Sequence, residues 1–125
     1  MITFEFDLHK GILRSEAEGV VTYDSIYTHL IDERRSAGLS WPEILDIRDT
    51  HFDVSSGEVR ALVHLMRGLG ESNLGPTAVV ISSEIDFAIT RMFGMLTDDL
   101  CAIAPFWSEQ DAEIWLLSFT TNAQA

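Results

Sequence analysis

The chain has 125 residues, 46% of them hydrophobic and 22% charged, the size and composition of one globular domain with its own core. Eight Lys and Arg stand against 20 Asp and Glu, for a formal net charge of −12; such a surface repels phosphate backbones and anionic headgroups, which argues against nucleic acid or stable membrane association. Cys101 is the lone cysteine, so no intrachain disulfide forms, no apolar run approaches the roughly 20 residues of a membrane helix, and without the features of a signal peptide a cytoplasmic setting is expected.

Residues 2–8 alternate, with Ile2, Phe4, Phe6 and Leu8 on one face and Thr3, Glu5 and Asp7 on the other, which predicts a half-buried strand. His9, Lys10 and Gly11 turn the chain, and Ile12–Ala17 returns as an antiparallel partner. Thr22 is placed to cap a first helix with an apolar stripe of Ile26, Tyr27, Leu30 and Ile31, stopped by Gly38. A short strand follows over Glu43–Arg48. Ser55 opens a second helix, with Val59, Leu62, Val63, Met66 and Leu69 on one face and Gly70 at its end. Ala78–Ile81 is an unbroken apolar run, the pattern of a strand buried on both faces of a parallel sheet. A third helix over about Glu84–Asp98, a fifth strand over Cys101–Phe106 and a fourth helix from Ser108 to about Phe119 complete the domain; residues 120–125 are expected to form a flexible tail. The order β-β-α-β-α-β-α-β-α predicts an α/β fold with a mainly parallel five-stranded sheet and an antiparallel edge strand.

Catalytic motifs are few. The histidines His9, His29, His51 and His64 lie far apart, and no His, Cys, Asp or Glu group has zinc-ligand spacing, so no metal and no cofactor is expected. Gly68, Gly70 and Gly75 follow a helix instead of opening one after a strand, and read as a helix stop and a turn. Cys101 falls in a predicted buried strand, where a thiol is usually inert. Asp98 and Asp99 read as a solvated turn. No serine sits in a nucleophile elbow, and no catalytic residue is assigned.

The informative stretch is Leu45-Asp46-Ile47-Arg48-Asp49-Thr50-His51-Phe52-Asp53-Val54-Ser55-Ser56-Gly57. It places a strand, an acidic loop with one inward aromatic, and Ser-Ser-Gly at a helix start. This resembles the signature of the STAS domain, in which a hydrophobic strand ending in Asp leads through a loop with Phe to Asp-Ser-Ser-Gly. Asp86-Phe87-Ala88-Ile89-Thr90-Arg91-Met92-Phe93-Gly94 resembles the Arg-containing third helix of the SpoIIAA-like branch, and Phe106, Ala112, Trp115 and Leu116 resemble its final strand and helix. The resemblance covers nearly the whole chain and implies a non-catalytic regulatory module. It also implies that Ser55 is the phosphoacceptor of an anti-sigma-antagonist-like switch, although Val54 stands where the family has the acid of its motif.

The residues themselves give Ser55 a second reading. With Glu58 three positions on, it has the form of a capping box, whose loss typically costs about 1 kcal/mol. A phosphate there would gain from the helix dipole, while Asp46, Asp49, Asp53 and Glu58 would repel it. The loop residues Asp49, His51, Phe52, Asp53, Ser56 and Gly57 are the binding-loop candidates. On the third helix, Phe87, Met92, Phe93 and Met95 spread over more than one face, with Arg91 among them, so the helix is either sandwiched in the domain or faces a partner. The leading expectation is a protein-binding module working through the Asp49–Ser56 loop and the adjoining helices, with another protein or a second copy as partner. The alternative is a carrier or sensor of a small apolar ligand or lipid lined by the third helix. A hydrolase or transferase using His51 or Asp49 comes third.

Overall fold

The computed structural model describes residues 1–69 and 74–124, with side chains through Phe119. Strand β1 (Ile2–Asp7) turns through Gly11, whose φ of 69° suits glycine, into β2 (Ile12–Ala17). A short β3 (Val21–Thr22), helix α1 (Tyr23–Arg35), strand β4 (Glu43–Asp46) and a short β5 (Phe52–Asp53) follow. The chain continues as helix α2 (Ser56–Leu69), strand β6 (Thr77–Val80), helix α3 (Glu84–Leu96), strand β7 (Ile103–Phe106) and helix α4 (Glu109–Gln124). The main sheet runs in the order β1-β2-β4-β6-β7, antiparallel between β1 and β2 and parallel elsewhere. This is the α/β class read from the alternation of strands and helices. Strands β3 and β5 form a separate two-stranded parallel ladder that no sequence period announces.

Side chains alternate across the sheet and so divide the core in two. On one face Leu45, Ile47, Val79 and Ile81 meet Phe52 and residues of α1 and α3, and Val59, Leu62, Val63 and Met66 of α2 complete that layer with Leu30 and Phe93. On the other face Ile12, Ile44, Ala78 and Val80 pack against Ala112 and Leu116 of α4. Salt bridges pin α4 to the sheet edge: Arg14 reaches Asp7 at 3.1 Å, Glu109 at 2.8 Å and Glu113, and Lys10 reaches Glu113 at 3.2 Å.

The structure departs from the sequence reading at several boundaries. Leu8 is 80% exposed in the turn and not part of the β1 face. Strand pairing ends at Asp46 instead of Arg48, although Ile47 N still donates to Val80 O at 3.0 Å. Cys101 precedes β7, half-buried, and burial pushes its thiol up. Gly68 lies inside α2, while its predicted stop at Gly70 lies outside the described residues. Helix α4 runs to Gln124, beyond the predicted end at Phe119; Ala125 lies outside the described residues. The residue in left-handed conformation after α1 is Ala37, with φ 60°, and Gly38 N donates to Glu33 O at 2.7 Å one step later.

Helix α1 carries the largest correction. Tyr27 is exposed, and the residues it buries are His29, Leu30 and Glu33 beside half-buried Ile26. Positions 26, 29, 30 and 33 have the i, i+3, i+4, i+7 spacing of one helix face. Two of the four are polar, so a hydrophobic stripe drawn through 26, 27, 30 and 31 misplaced the face.

Glycine decides how closely α3 approaches the sheet. A Cβ on Gly94 would run into the carbonyl oxygen of Ile103 in β7, whereas one on Gly68 would meet nothing within 4 Å. Gly94→Ala should therefore lower stability by about 1–3 kcal/mol. Gly68→Ala, in an open helical position, should raise it by up to about 1 kcal/mol. Urea unfolding of the two variants checks both signs.

Candidate functional site

The carboxyl ends of the parallel strands form one rim of the molecule, where ligands of open α/β sheets usually bind. All four helices start there, each from a hydroxyl residue. Thr22 caps α1 by accepting from Ser25 N at 3.2 Å, Ser83 caps α3 by accepting from Asp86 N at 3.2 Å, and Ser108 accepts from Asp111 N at 3.2 Å at the start of α4. At α2, Ser55 Oγ accepts from Glu58 N at 3.1 Å while Ser55 N donates to Glu58 Oε1 at 2.9 Å. This reciprocal pair is a capping box, and it sits on an exposed serine.

The preceding loop is tied down at intervals. Thr50 Oγ1 donates to Gly19 O at 2.8 Å, His51 O accepts from Val21 N at 3.0 Å, and buried Phe52 donates its N–H to Asp86 Oδ1 at 2.9 Å. Asp49, His51, Asp53, Ser56 and Gly57 are all exposed. The loop is thus joined to α3 through Asp86, a fully buried residue that sequence reasoning passed over and whose signal is an acid in the first turn of an apolar helix.

Helix α3 is only partly covered. Phe93 is buried against Phe52 at 6.3 Å between ring centroids, Met92 is half-buried, and Arg91 and Met95 are exposed. Phe87 stacks on Trp107 at 5.7 Å with the rings 14° from parallel. Val20, Ile85 and Trp107, exposed by 41%, 72% and 53%, all lie at the carboxyl-end rim. The same rim carries the exposed acids Asp49, Asp53, Glu58, Glu84 and Asp111.

A second polar site lies inside the domain, on the α1 face of the sheet. His29 Nε2 is 2.7 Å from Glu43 Oε2 and 3.1 Å from Glu33 Oε1, and Ser15 Oγ donates to Glu43 Oε2 at 2.5 Å. All four residues are buried. Burial, and then the neighbouring Glu43 charge, pushes the Glu33 carboxyl up to about 11, so it holds its proton at neutral pH. Burial also raises Glu43, but hydrogen bonds from His29, Glu33 and Ser15 outweigh it and hold that carboxyl below its ordinary value. Among the described residues no Lys or Arg forms a salt bridge with either glutamate. The spacing of the four histidines conceals this cluster. Its sequence signal is His29 and Glu33 at i, i+4 on one helix, with a glutamate opening an apolar strand.

A mainly parallel five-stranded sheet with an antiparallel edge, three helices on one face and one on the other, defines the architectural class. No protein-family model matches the chain, and no curated protein does. Among solved structures it is similar to an uncharacterized protein from the DUF3478 family with a SpoIIAA-like fold from Shewanella loihica PV-4, with a TM-score of 0.60 and 21% sequence identity over 93% of this chain and 92% of that one. The chain therefore has a SpoIIAA-like fold, the fold implied by the motifs around Ser55 and in α3.

The asymmetry between the two glutamates is measurable. In chelator-treated buffer, Glu33→Gln replaces a protonated acid by an amide of the same shape and should change stability by less than about 1 kcal/mol. Glu43→Gln removes the carboxylate that three groups share and should cost about 2 kcal/mol or more. Urea unfolding at neutral pH, with equal losses in the two variants as the contrary result, checks the assignment of the proton.

Proposed function

We propose that this protein is a non-catalytic, STAS-like regulatory module that docks a basic segment of another protein on its carboxyl-end rim. The observation that carries the reading is that exposed Val20, Ile85 and Trp107, the last stacked on Phe87, share the carboxyl-end rim with the exposed acids Asp49, Asp53, Glu58, Glu84 and Asp111. Exposed apolar side chains beside charged ones suit a protein interface, and the net charge of −12 favours a cationic partner. Ser55 stands at this rim with its hydroxyl exposed. A phosphate on it would compete for the Ser55–Glu58 cap and add charge beside Asp53 and Glu58, which gives a switch a physical handle.

The small-ligand reading has thinner support. The apolar interior cavity bordered by Ile26, Phe52, Met66 and Phe93 has a volume of 70 Å³, against roughly 300–1,000 Å³ for drug-sized ligand sites. The groove of about 600 Å³ between α3 and β7, lined by Phe87, Arg91, Met95 and Phe106, is open to solvent and would enclose little of a ligand. The catalytic reading has no observation of its own: His51 and Asp49 are exposed at the rim, and among the described residues no hydrogen bond joins them to each other or to a rim hydroxyl.

Two pairs of variants test the docking surface and the switch. A photo-crosslinking residue at position 85 should capture a partner with a basic contact surface that the same residue at exposed Ile114 on α4 does not, and Trp107→Ala should abolish the capture. Equal capture from both positions would overturn the surface. Ser55→Ala should lower stability by about 1 kcal/mol yet keep the partner. Ser55→Asp preserves a capping oxygen, so it should keep stability and weaken capture; unchanged capture would leave Ser55 as a helix cap alone.

A further inference from the structure

We propose that His29, Glu33 and Glu43 form a binding site for one divalent transition-metal cation, with zinc as its representative. One ligand atom from each residue lies within 4.8 Å of the others, and all three side chains are buried. The donor set is one imidazole nitrogen and two carboxylate oxygens, a combination suited to zinc and its first-row neighbours. Three different segments supply or support it: His29 and Glu33 stand one turn apart on α1, Glu43 opens β4, and Ser15 on β2 hydrogen-bonds Glu43 from outside the donor set. That last contact is the outer-shell support that ligating carboxylates usually have.

Charge and space both favour a cation. Two buried carboxyl groups share one imidazole, and among the described residues no Lys or Arg forms a salt bridge with them. A dication held by both acids in their ionised form would be charge-balanced inside the protein. The nitrogen-to-oxygen separations of 2.7 and 3.1 Å are hydrogen-bond distances. Bonds of about 2.0–2.1 Å to a tetrahedral ion would set the same atoms roughly 3.3–3.5 Å apart, so the cage has to open by about half an ångström. The room lies alongside, since His29, Glu33 and Glu43 all border the 70 Å³ cavity, whose volume admits water as a further ligand.

The site is distinct from the rim and its test is independent of the docking reading. Full-length protein, stripped with chelator and titrated with zinc chloride by calorimetry, should bind one equivalent, and its melting temperature should rise. Crystals soaked in zinc should give an anomalous peak between His29 Nε2 and the two carboxylates. Glu33→Gln, an isosteric change, should weaken zinc binding by at least about 100-fold, with circular dichroism confirming the fold. A variant lacking the exposed histidines His9, His51 and His64 should bind as the parent does. The proposal is overturned if no one-equivalent binding is seen, if Glu33→Gln leaves it intact, or if the anomalous peak sits on surface carboxylates or histidines.

Discussion

The carboxylate of Glu43 is the contact around which one half of the domain is arranged. It begins the central strand of the sheet, lies completely inside the protein, and accepts from a residue on the neighbouring strand and another on the first helix. An ionised group in that position is tolerated only while its partners hold their places. Its demands therefore fix the rotation of α1, because His29 and Glu33 must face inward and Tyr27 must face out. Phe4 closes over the His29 ring at 5.6 Å, which brings the hairpin strand β1 into the same arrangement. The polar cluster thus sets which face of α1 meets the sheet.

The rim follows from a different rule. Parallel strands joined by helices must send every helix off from the same end of the sheet. That geometry collects four N-termini, four hydroxyl caps and the loops that separate them at one edge of the molecule. The partial positive charge of those termini shares the rim with exposed carboxylates, so the rim is electrically mixed on an otherwise acidic protein. Its apolar residues project from the first turn of α3 and from the residue just after β7, which are positions the sheet cannot cover.

Much of this was legible beforehand. Alternation in β1, the apolar run of β6 and the strand-helix rhythm were enough for the fold class, and Ser55 with Glu58 announced its own cap. The β3–β5 ladder was not legible, because two-residue strands carry no period. The polar cluster was hidden for a sharper reason. Hydrophobic periodicity treats His and Glu as surface residues, so a helix face half composed of them reads as solvent. Exposed Tyr27 and half-buried Ile31 then drew the stripe to the wrong side. Asp86 was missed in the same way, as an acid lost among the apolar residues of α3.

The close approach at Gly94 also bears on how this sheet ends. Strand β7 is an outer strand; the Ala102 carbonyl just before it accepts from Thr77 N, and the Phe106 carbonyl accepts from Ile81 N just after β6. By alternation, Ile103 and Pro105 direct their backbone groups away from the sheet. Pro105 has no N–H to offer, and the Ile103 carbonyl lies against the backbone of α3 at Gly94. An extended peptide arriving at this edge thus finds one N–H missing and one carbonyl covered, with only the Ile103 N–H and the Pro105 carbonyl left facing outward. A short edge interrupted by proline and partly covered by a helix is a poor template for a foreign strand, which works against edge-to-edge association. Recognition in this region is left mainly to side chains, and so to shape and charge more than to backbone pairing.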